Sequence, residues 1–375
     1  MQTTAESGSE NVLVIRDLKV TFNTYAGDVK ALDGVDLSIR KGEILGLVGE
    51  SGCGKSVTSL AICGLLPPNA AVESGEVLLN GNNLLKLKKE QLRLARLEDI
   101  AIVFQDPTTY LNPVLTVGSQ ITEIIEAAPE VFTKRLVESR LAELAGPASA
   151  GGPAAEIEAE RSKLRSSLEG GRLPRGEVKR LSKLYAISVL NMVRLPDPER
   201  VFRMYPFELS GGMKQRAMIA MALIRGPKLF LADEITTALD VTVQAQILEL
   251  LKDLKEQISG SVMLITHDLG IVAQVCDRVA VMYAGNIVEV AGVEELFKRP
   301  LHPYTQGLLA AVPRPDVTSG ELTSIEGSVP DLISPPTGCR FHPRCPHAFE
   351  RCSNEKPRLL EVSPGHLVAC FLYGK

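Results

Sequence analysis

Apolar and polar residues alternate in two early stretches, 12–22 and 35–39, and the segment between them carries Tyr25, Gly27 and Asp28. A period of two interrupted by turn formers predicts a β-hairpin. Residues 43–48 are almost uniformly apolar, as expected of a strand covered on both faces, and an apolar helical run over 57–66 follows. Residues 75–81 predict a strand closed by the Asn80-Gly81 turn; 99–104, 229–232, 262–266 and 279–283 predict further buried strands. Helical patterns separate them, notably 241–258, so the α/β alternation of a doubly wound, mostly parallel sheet is expected, with ligands at the carboxyl ends of its strands. Residues 131–190 predict two charged helical stretches around a flexible Gly- and Pro-rich turn, 146–153, which is a solvated helical hairpin inserted in the fold.

Composition sets the outer bounds. The 375 residues allow one large domain with an appendage, or two domains, and 45% apolar content is enough for a full core. A net charge of −4 gives no bulk electrostatic reason to expect nucleic acid as a partner. No stretch approaches the ~18 uninterrupted apolar residues that span a bilayer, and residues 1–11 lack the basic-then-apolar order of a signal peptide. A soluble chain in the cytosol is therefore expected. Seven cysteines would stay reduced there, so a cysteine cluster favours metal over disulfide.

Candidate chemistry begins between the strand at 43–48 and the helix after it. Gly49-Glu50-Ser51-Gly52-Cys53-Gly54-Lys55-Ser56 matches the phosphate-binding loop G-x-x-x-x-G-K-[ST], with Val57 continuing into the helix. Its glycines let successive N–H groups turn inward onto phosphate oxygens, and the helix start adds its positive dipole end. Lys55 would neutralise β- and γ-phosphate charge, and Ser56 would ligate Mg²⁺. The strand at 229–232 delivers Asp233 and Glu234 at its carboxyl end, where Asp233 suits a Mg²⁺ shell and Glu234 suits orienting or deprotonating a water. Ser210-Gly211-Gly212 precedes an apolar helix over 217–224; Ser210 sits as its N-cap, and the glycine N–H groups could take a second anion.

The stretch 209–216, the phosphate loop and Asp233-Glu234 together resemble the nucleotide-binding subunits of ABC transporters. The resemblance implies a P-loop NTPase domain over 11–285, made of a RecA-like parallel sheet, an antiparallel β subdomain and a helical subdomain near 108–225, followed by a small Cys-rich extension over 286–375. It also implies residue roles. Gln105 would sense Mg²⁺ and water, Asp240 in Ala238-Leu239-Asp240 would lie in the loop linking two ATP sites, and His267 would contact the γ-phosphate. Lys55, Gln105, Glu234 and His267 would then carry catalysis. Tyr25 would stack on adenine, with Phe22 as the alternative. Two such domains would sandwich two ATP molecules, so that Ser210 and Gly212 act in trans. One departure stands out: Ile235 replaces the proline that usually follows the second acid.

A narrower similarity lies outside the ATP motifs. Phe104-Gln105-Asp106-Pro107, Leu111-Asn112-Pro113 and Pro300-Leu301-His302-Pro303-Tyr304-Thr305 resemble the oligopeptide/dipeptide importer ATPases. That implies a peripheral subunit at the cytoplasmic face of the membrane, partnered by two permease subunits, a solute-binding protein and a second, homologous ATPase. Importers of oligosaccharides or nickel, and a soluble ABC ATPase acting in translation or DNA repair, are the alternatives. The tail supplies Cys339, Cys345, Cys352 and Cys370 in a segment too poor in apolar residues for a core of its own, where a metal would act as a staple. Their spacing lacks close Cys-x₂-Cys pairs and does not select the metal. The resemblance implies a [4Fe–4S] cluster; zinc and reduced, unligated thiols are the alternatives, and His342, His347 and His366 are spare ligands. Cys53, Cys63 and Cys276 are expected to be packing residues.

Overall fold

The computed structural model describes residues 11–146, 154–170, 173–237, 240–258, 260–312 and 325–374. Among these, the strands in chain order are β1 (Asn11–Thr24), β2 (Gly27–Arg40), β3 (Ile44–Val48), β4 (Ala70–Leu79), β5 (Asn82–Asn83), β6 (Ile100–Val103), β7 (Leu229–Asp233), β8 (Ser261–Thr266), β9 (Arg278–Tyr283), β10 (Asn286–Gly292), β11 (Leu360–Ser363) and β12 (His366–Val368). The chain divides into two units. One is built from residues up to Arg96, Lys228–Glu234 and Leu251 onward; the other comprises Leu97–Pro227 and Ile235–Leu250.

The first unit holds two sheets. Strands β2-β1-β4-β5 form an antiparallel sheet whose long hairpin, β1 and β2, pairs Leu13 with Ile39 and Ile15 with Leu37 across its buried face. The arms extend well past the apolar runs at 12–22 and 35–39, because cross-strand pairing continues through the polar residues out to Thr24 and Gly27. The second sheet runs β11-β12-β10-β9-β3-β8-β7. Its centre is parallel: β3 lies between β8 and β9, and β7 pairs with β8. Every residue of β3, β7 and β8 is buried, which is why these strands read as continuous apolar runs rather than alternations. The helix after the phosphate loop, Lys55–Cys63, ends earlier than the apolar pattern suggests, because Gly64 takes a left-handed conformation (φ 60°) and caps it.

The tail is not a free-standing extension after residue 285. Strand β10 returns antiparallel to β9, and β12 and β11 continue the same sheet. The tail's apolar residues therefore share the core of the second sheet. Phe341, 2% exposed, packs its ring 5.1 Å from that of Tyr283 and 5.4 Å from that of Tyr304.

The second unit packs helices Val117–Glu126, Pro129–Ala145, Ala154–Gly170, Arg175–Met192 and Pro198–Arg203 with Gly211–Leu223, which lies against β6. The insertion holds three described helices where two were expected: Pro174, at the N-cap of Arg175–Met192, interrupts what reads as one charged stretch. Arg140 and Arg180 both bind Glu160, at 3.0 and 2.8 Å, joining these helices with partly exposed pairs of little energetic weight. Most of the turn expected at 146–153 lies outside the described residues.

Candidate functional site

Parallel register assembles the site. Val48 stands opposite Thr266, and Asp233 opposite Ile265, so β3, β7 and β8 end side by side. The phosphate loop, the acid pair and His267 all leave from those ends. Within the loop, an added Cβ at Gly49 would collide with the Met282 carbonyl, and one at Gly54 (φ 110°) would come within 3.0 Å of the Ala31 carbonyl. Only glycine fits at these two positions. Glu50, Ser51, Gly52 and Cys53 complete the curve, and Cys53, buried, accepts the Gly285 N–H on its carbonyl at 2.7 Å. Burial raises the Cys53 thiol above its ordinary range despite the nearby Lys55. Cys63 and Cys276 are likewise buried.

Lys55 is 5% exposed, and its ammonium donates to the carbonyls of Gly49 (2.8 Å) and Glu50 (3.0 Å). Ser56 donates its hydroxyl to Asp233 Oδ1 at 3.2 Å, while Val57 lies one position further along the helix. Burial is the main cause that raises the Asp233 carboxyl above its usual range, and the neighbouring Glu234 adds to it; Ser56 and Lys55 oppose the rise. A buried acid under that strain, with a hydroxyl beside it, is a donor set that fits a Mg²⁺ ion.

Glu234 adopts φ 50°, a left-handed conformation rare for a residue with a side chain, and its N–H is tied to the Ile265 carbonyl at 2.9 Å. This turns its carboxylate toward His267, whose Nδ1 lies 3.4 Å from Oε1. Tyr25 is fully exposed at the tip of the β1–β2 hairpin, and Phe22 is paired within β1 opposite Val29.

The second unit carries the remaining expected residues. Gln105 is exposed between β6 and the short helix Pro107–Tyr110. Ser210 caps Gly211–Leu223 by accepting the Met213 N–H at 3.3 Å. A Cβ on Gly212 would meet Val243 at 2.6 Å, whereas at Gly211 it would meet nothing within 4 Å. Asp240 accepts the Val243 N–H at 2.9 Å, capping Val241–Ile258; Ala238 and Leu239 lie outside the described residues.

The four tail thiols converge. Cys339, Cys345, Cys352 and Cys370 line one pocket together with His302, His342 and His347, and the Cys339 N–H bonds the Cys352 carbonyl at 2.8 Å. Burial pushes Cys339 up to about 11 and raises Cys345 and Cys370, with neighbouring cysteines adding to each shift. Opposing that rise, the sulfurs of Cys339, Cys345 and Cys370 accept backbone N–H bonds from Phe341, His347 and Leu372. N–H donors aimed at sulfur favour thiolate, but burial outweighs them and holds these thiols above their ordinary range. Among the described residues, no three His, Cys, Asp or Glu side chains are drawn together closely enough to make a ready coordination shell. His366 turns away from the pocket and bonds Glu289 at 2.7 Å instead.

Sequence reasoning missed two residues that touch the loop. Tyr304 accepts the Glu50 N–H at 2.9 Å, and Arg344 pairs with the Glu50 carboxylate at 2.8 Å. Tyr304 sits inside a stretch quoted for family likeness and Arg344 between two of the tail cysteines, but a pairing across more than 250 positions leaves no local pattern.

Comparison with known proteins follows the same division of the chain. The ABC transporter family model matches residues 32–237, and the model for the oligopeptide/dipeptide transporter C-terminal region matches 288–352. The dipeptide transport ATP-binding protein DppD of Bacillus subtilis is 44% identical over 97% of this chain and 95% of its own. The oligopeptide transport ATP-binding protein OppD of Salmonella typhimurium is 42% identical over 98% of this chain and 96% of its own. Among solved structures, the ATP-binding cassette MJ0796, a dimer in a post-hydrolysis state with ADP and Pi, matches with TM-score 0.55 at 26% identity over 75% of this chain and 98% of that one.

Proposed function

The chain belongs to the ABC transporter family and carries the oligopeptide/dipeptide C-terminal region, and from that premise we propose that it is the ATP-hydrolysing subunit of a peptide importer. The observation that carries the reading is the meeting of Lys55, Ser56, Asp233, Glu234 and His267 at the aligned ends of three parallel strands. The loop N–H groups and Lys55 bind the triphosphate, Ser56 and Asp233 would hold Mg²⁺, and Gln105 is assigned to sensing Mg²⁺ and water. Mg²⁺ held there would supply charge neutralisation to the triphosphate. Glu234 accepts the proton of the attacking water, and His267 holds that carboxylate and reaches the γ-phosphate side. Tyr25 stacks on adenine. Ser210, Gly211 and Gly212 serve the partner's nucleotide: the open space above Gly211 and the free edge at Ser210 suit a sandwich dimer.

Glu234→Gln tests the base assignment. Its carboxamide keeps the shape but not the proton acceptor, so ATP binding persists while hydrolysis falls about 100-fold or more. Undiminished turnover would reject it.

The likeness to DppD and OppD supports peptides as the substrate class, and membrane permeases, a binding protein and a homologous second ATPase are the partners assigned to the chain on that reading. Cys339, Cys345, Cys352 and Cys370 are assigned to a [4Fe–4S] cluster, which would supply a four-thiolate cross-link to the tail. Iron, sulfide and zinc analysis of anaerobically purified protein tests this: about four irons per chain are expected, and loss on Cys339→Ser follows. One zinc, or no metal, would reject the cluster and leave the ATPase reading untouched.

A further inference from the structure

Glu50 places an acid in the loop whose N–H groups turn toward phosphate, where negative charge opposes binding. Its carboxylate is matched by a guanidinium from the tail. Arg344, whose side chain is 6% exposed, directs Nη1 to Oε2 at 2.8 Å and Nη2 to Oε1 at 3.3 Å, a forked pair. The fork is aimed by further bonds: Nε to the Glu326 carbonyl (2.9 Å), Nη2 to the Ile325 carbonyl (3.1 Å) and Nη1 to the Tyr283 hydroxyl (3.4 Å). These partners are neutral, so the positive charge is spent on Glu50. The main chain at Glu50 is held separately, through its N–H to Tyr304. The pair therefore governs the charge of the loop more than its path.

We propose that Arg344 is a positioning residue for nucleotide binding: it holds the Glu50 carboxylate aside and neutralises it, so that the loop presents its N–H groups and Lys55 to a polyphosphate. The proposal rests on the reading of residues 49–56 as the nucleotide site. It also gives the tail a part in that site. Arg344 immediately precedes Cys345, whose thiol lines the four-cysteine pocket, so whatever unravels the pocket withdraws the counter-charge from the loop.

Equilibrium binding of a fluorescent ATP analogue with Mg²⁺, and steady-state hydrolysis, test this on the full chain. Arg344→Ala is expected to raise Kd and KM for ATP about tenfold with kcat within about twofold, as suits loss of one charge-assisted pair outside the reacting atoms. Arg344→Lys recovers part of the loss. Adding Glu50→Gln to Arg344→Ala restores binding to within about threefold of wild type, because the unneutralised acid is gone. A purely architectural role predicts the reverse, since removing the acid does not rebuild a collapsed tail. Arg344→Gln carries the same test if Arg344→Ala does not fold. Wild-type affinity in the charge-removing variant, or a double variant as weak as the single, overturns the proposal alone. A wild-type chain that binds no nucleotide overturns the loop reading and the proposal together.

Discussion

His302 is enclosed by protein and kept neutral: burial lowers its ring to about 3, far under the ordinary 6.5. Its Nδ1 accepts the Tyr304 N–H at 3.1 Å, capping the helix Pro303–Ala310, and its ring lies 5.6 Å from that of Phe341. The unfolded chain takes up a proton near 6.5 that the folded chain refuses until about 3. Stability is therefore fully present above pH 6.5 and falls on acidification through that window, by about 1.4 kcal/mol per pH unit for this one proton. His302→Asn keeps an acceptor for the cap and removes the titration. Urea midpoints for this variant should lose that part of the slope between pH 6 and about 4; an unchanged slope would reject the assignment. Asp233 carries the opposite sign: its raised carboxyl makes the charged form costly near neutrality, a cost that Mg²⁺ offsets when bound. Asp233 and Glu234 were legible because they end an apolar strand, whereas nothing in the run Pro300 to Thr305 signals that His302 is sealed from water.

At the scale of elements, Glu289 explains how the tail is attached. It is fully buried on β10 and accepts the N–H groups of Leu301 (2.8 Å) and His302 (2.9 Å) and the Nε2 of His366 (2.7 Å) on β12. One carboxylate thus ties β10, β12 and the start of a helix. Glu289→Leu leaves those donors without an acceptor in a dry environment and should cost about 3 kcal/mol or more in urea unfolding; a loss under about 1 kcal/mol would show that they find other partners. Strands β3, β7, β8 and β9 were legible to within a residue or so, because strands covered on both faces read as apolar runs. Strand β10, seven residues with a buried centre, was passed over although its length and apolar run are those of a strand; β11 is mostly exposed and β12 has three residues, so neither length nor alternation distinguishes those two from loop.

Across the whole molecule, both units are discontinuous in sequence, each closed by segments from either side of the other. That arrangement is why the chemistry is split between local motifs and distant meetings. The sequence by itself determined the phosphate loop, the acid pair at the end of β7, the capped Ser-Gly-Gly helix and the family, since each is a contiguous pattern in which backbone conformation follows from residue type over a few positions. The helical insertion was visible as charge without alternation, although its third helix was hidden by reading Pro174 as part of a continuous stretch. Only the tertiary structure decided that Ser56 meets Asp233, that His267 meets Glu234, that the four thiols share a pocket and that Arg344 reaches Glu50 across 294 positions. Strand order and register set those neighbours. Pairing partners are chosen by the burial of whole faces, a sum over the fold that no short window of the chain contains.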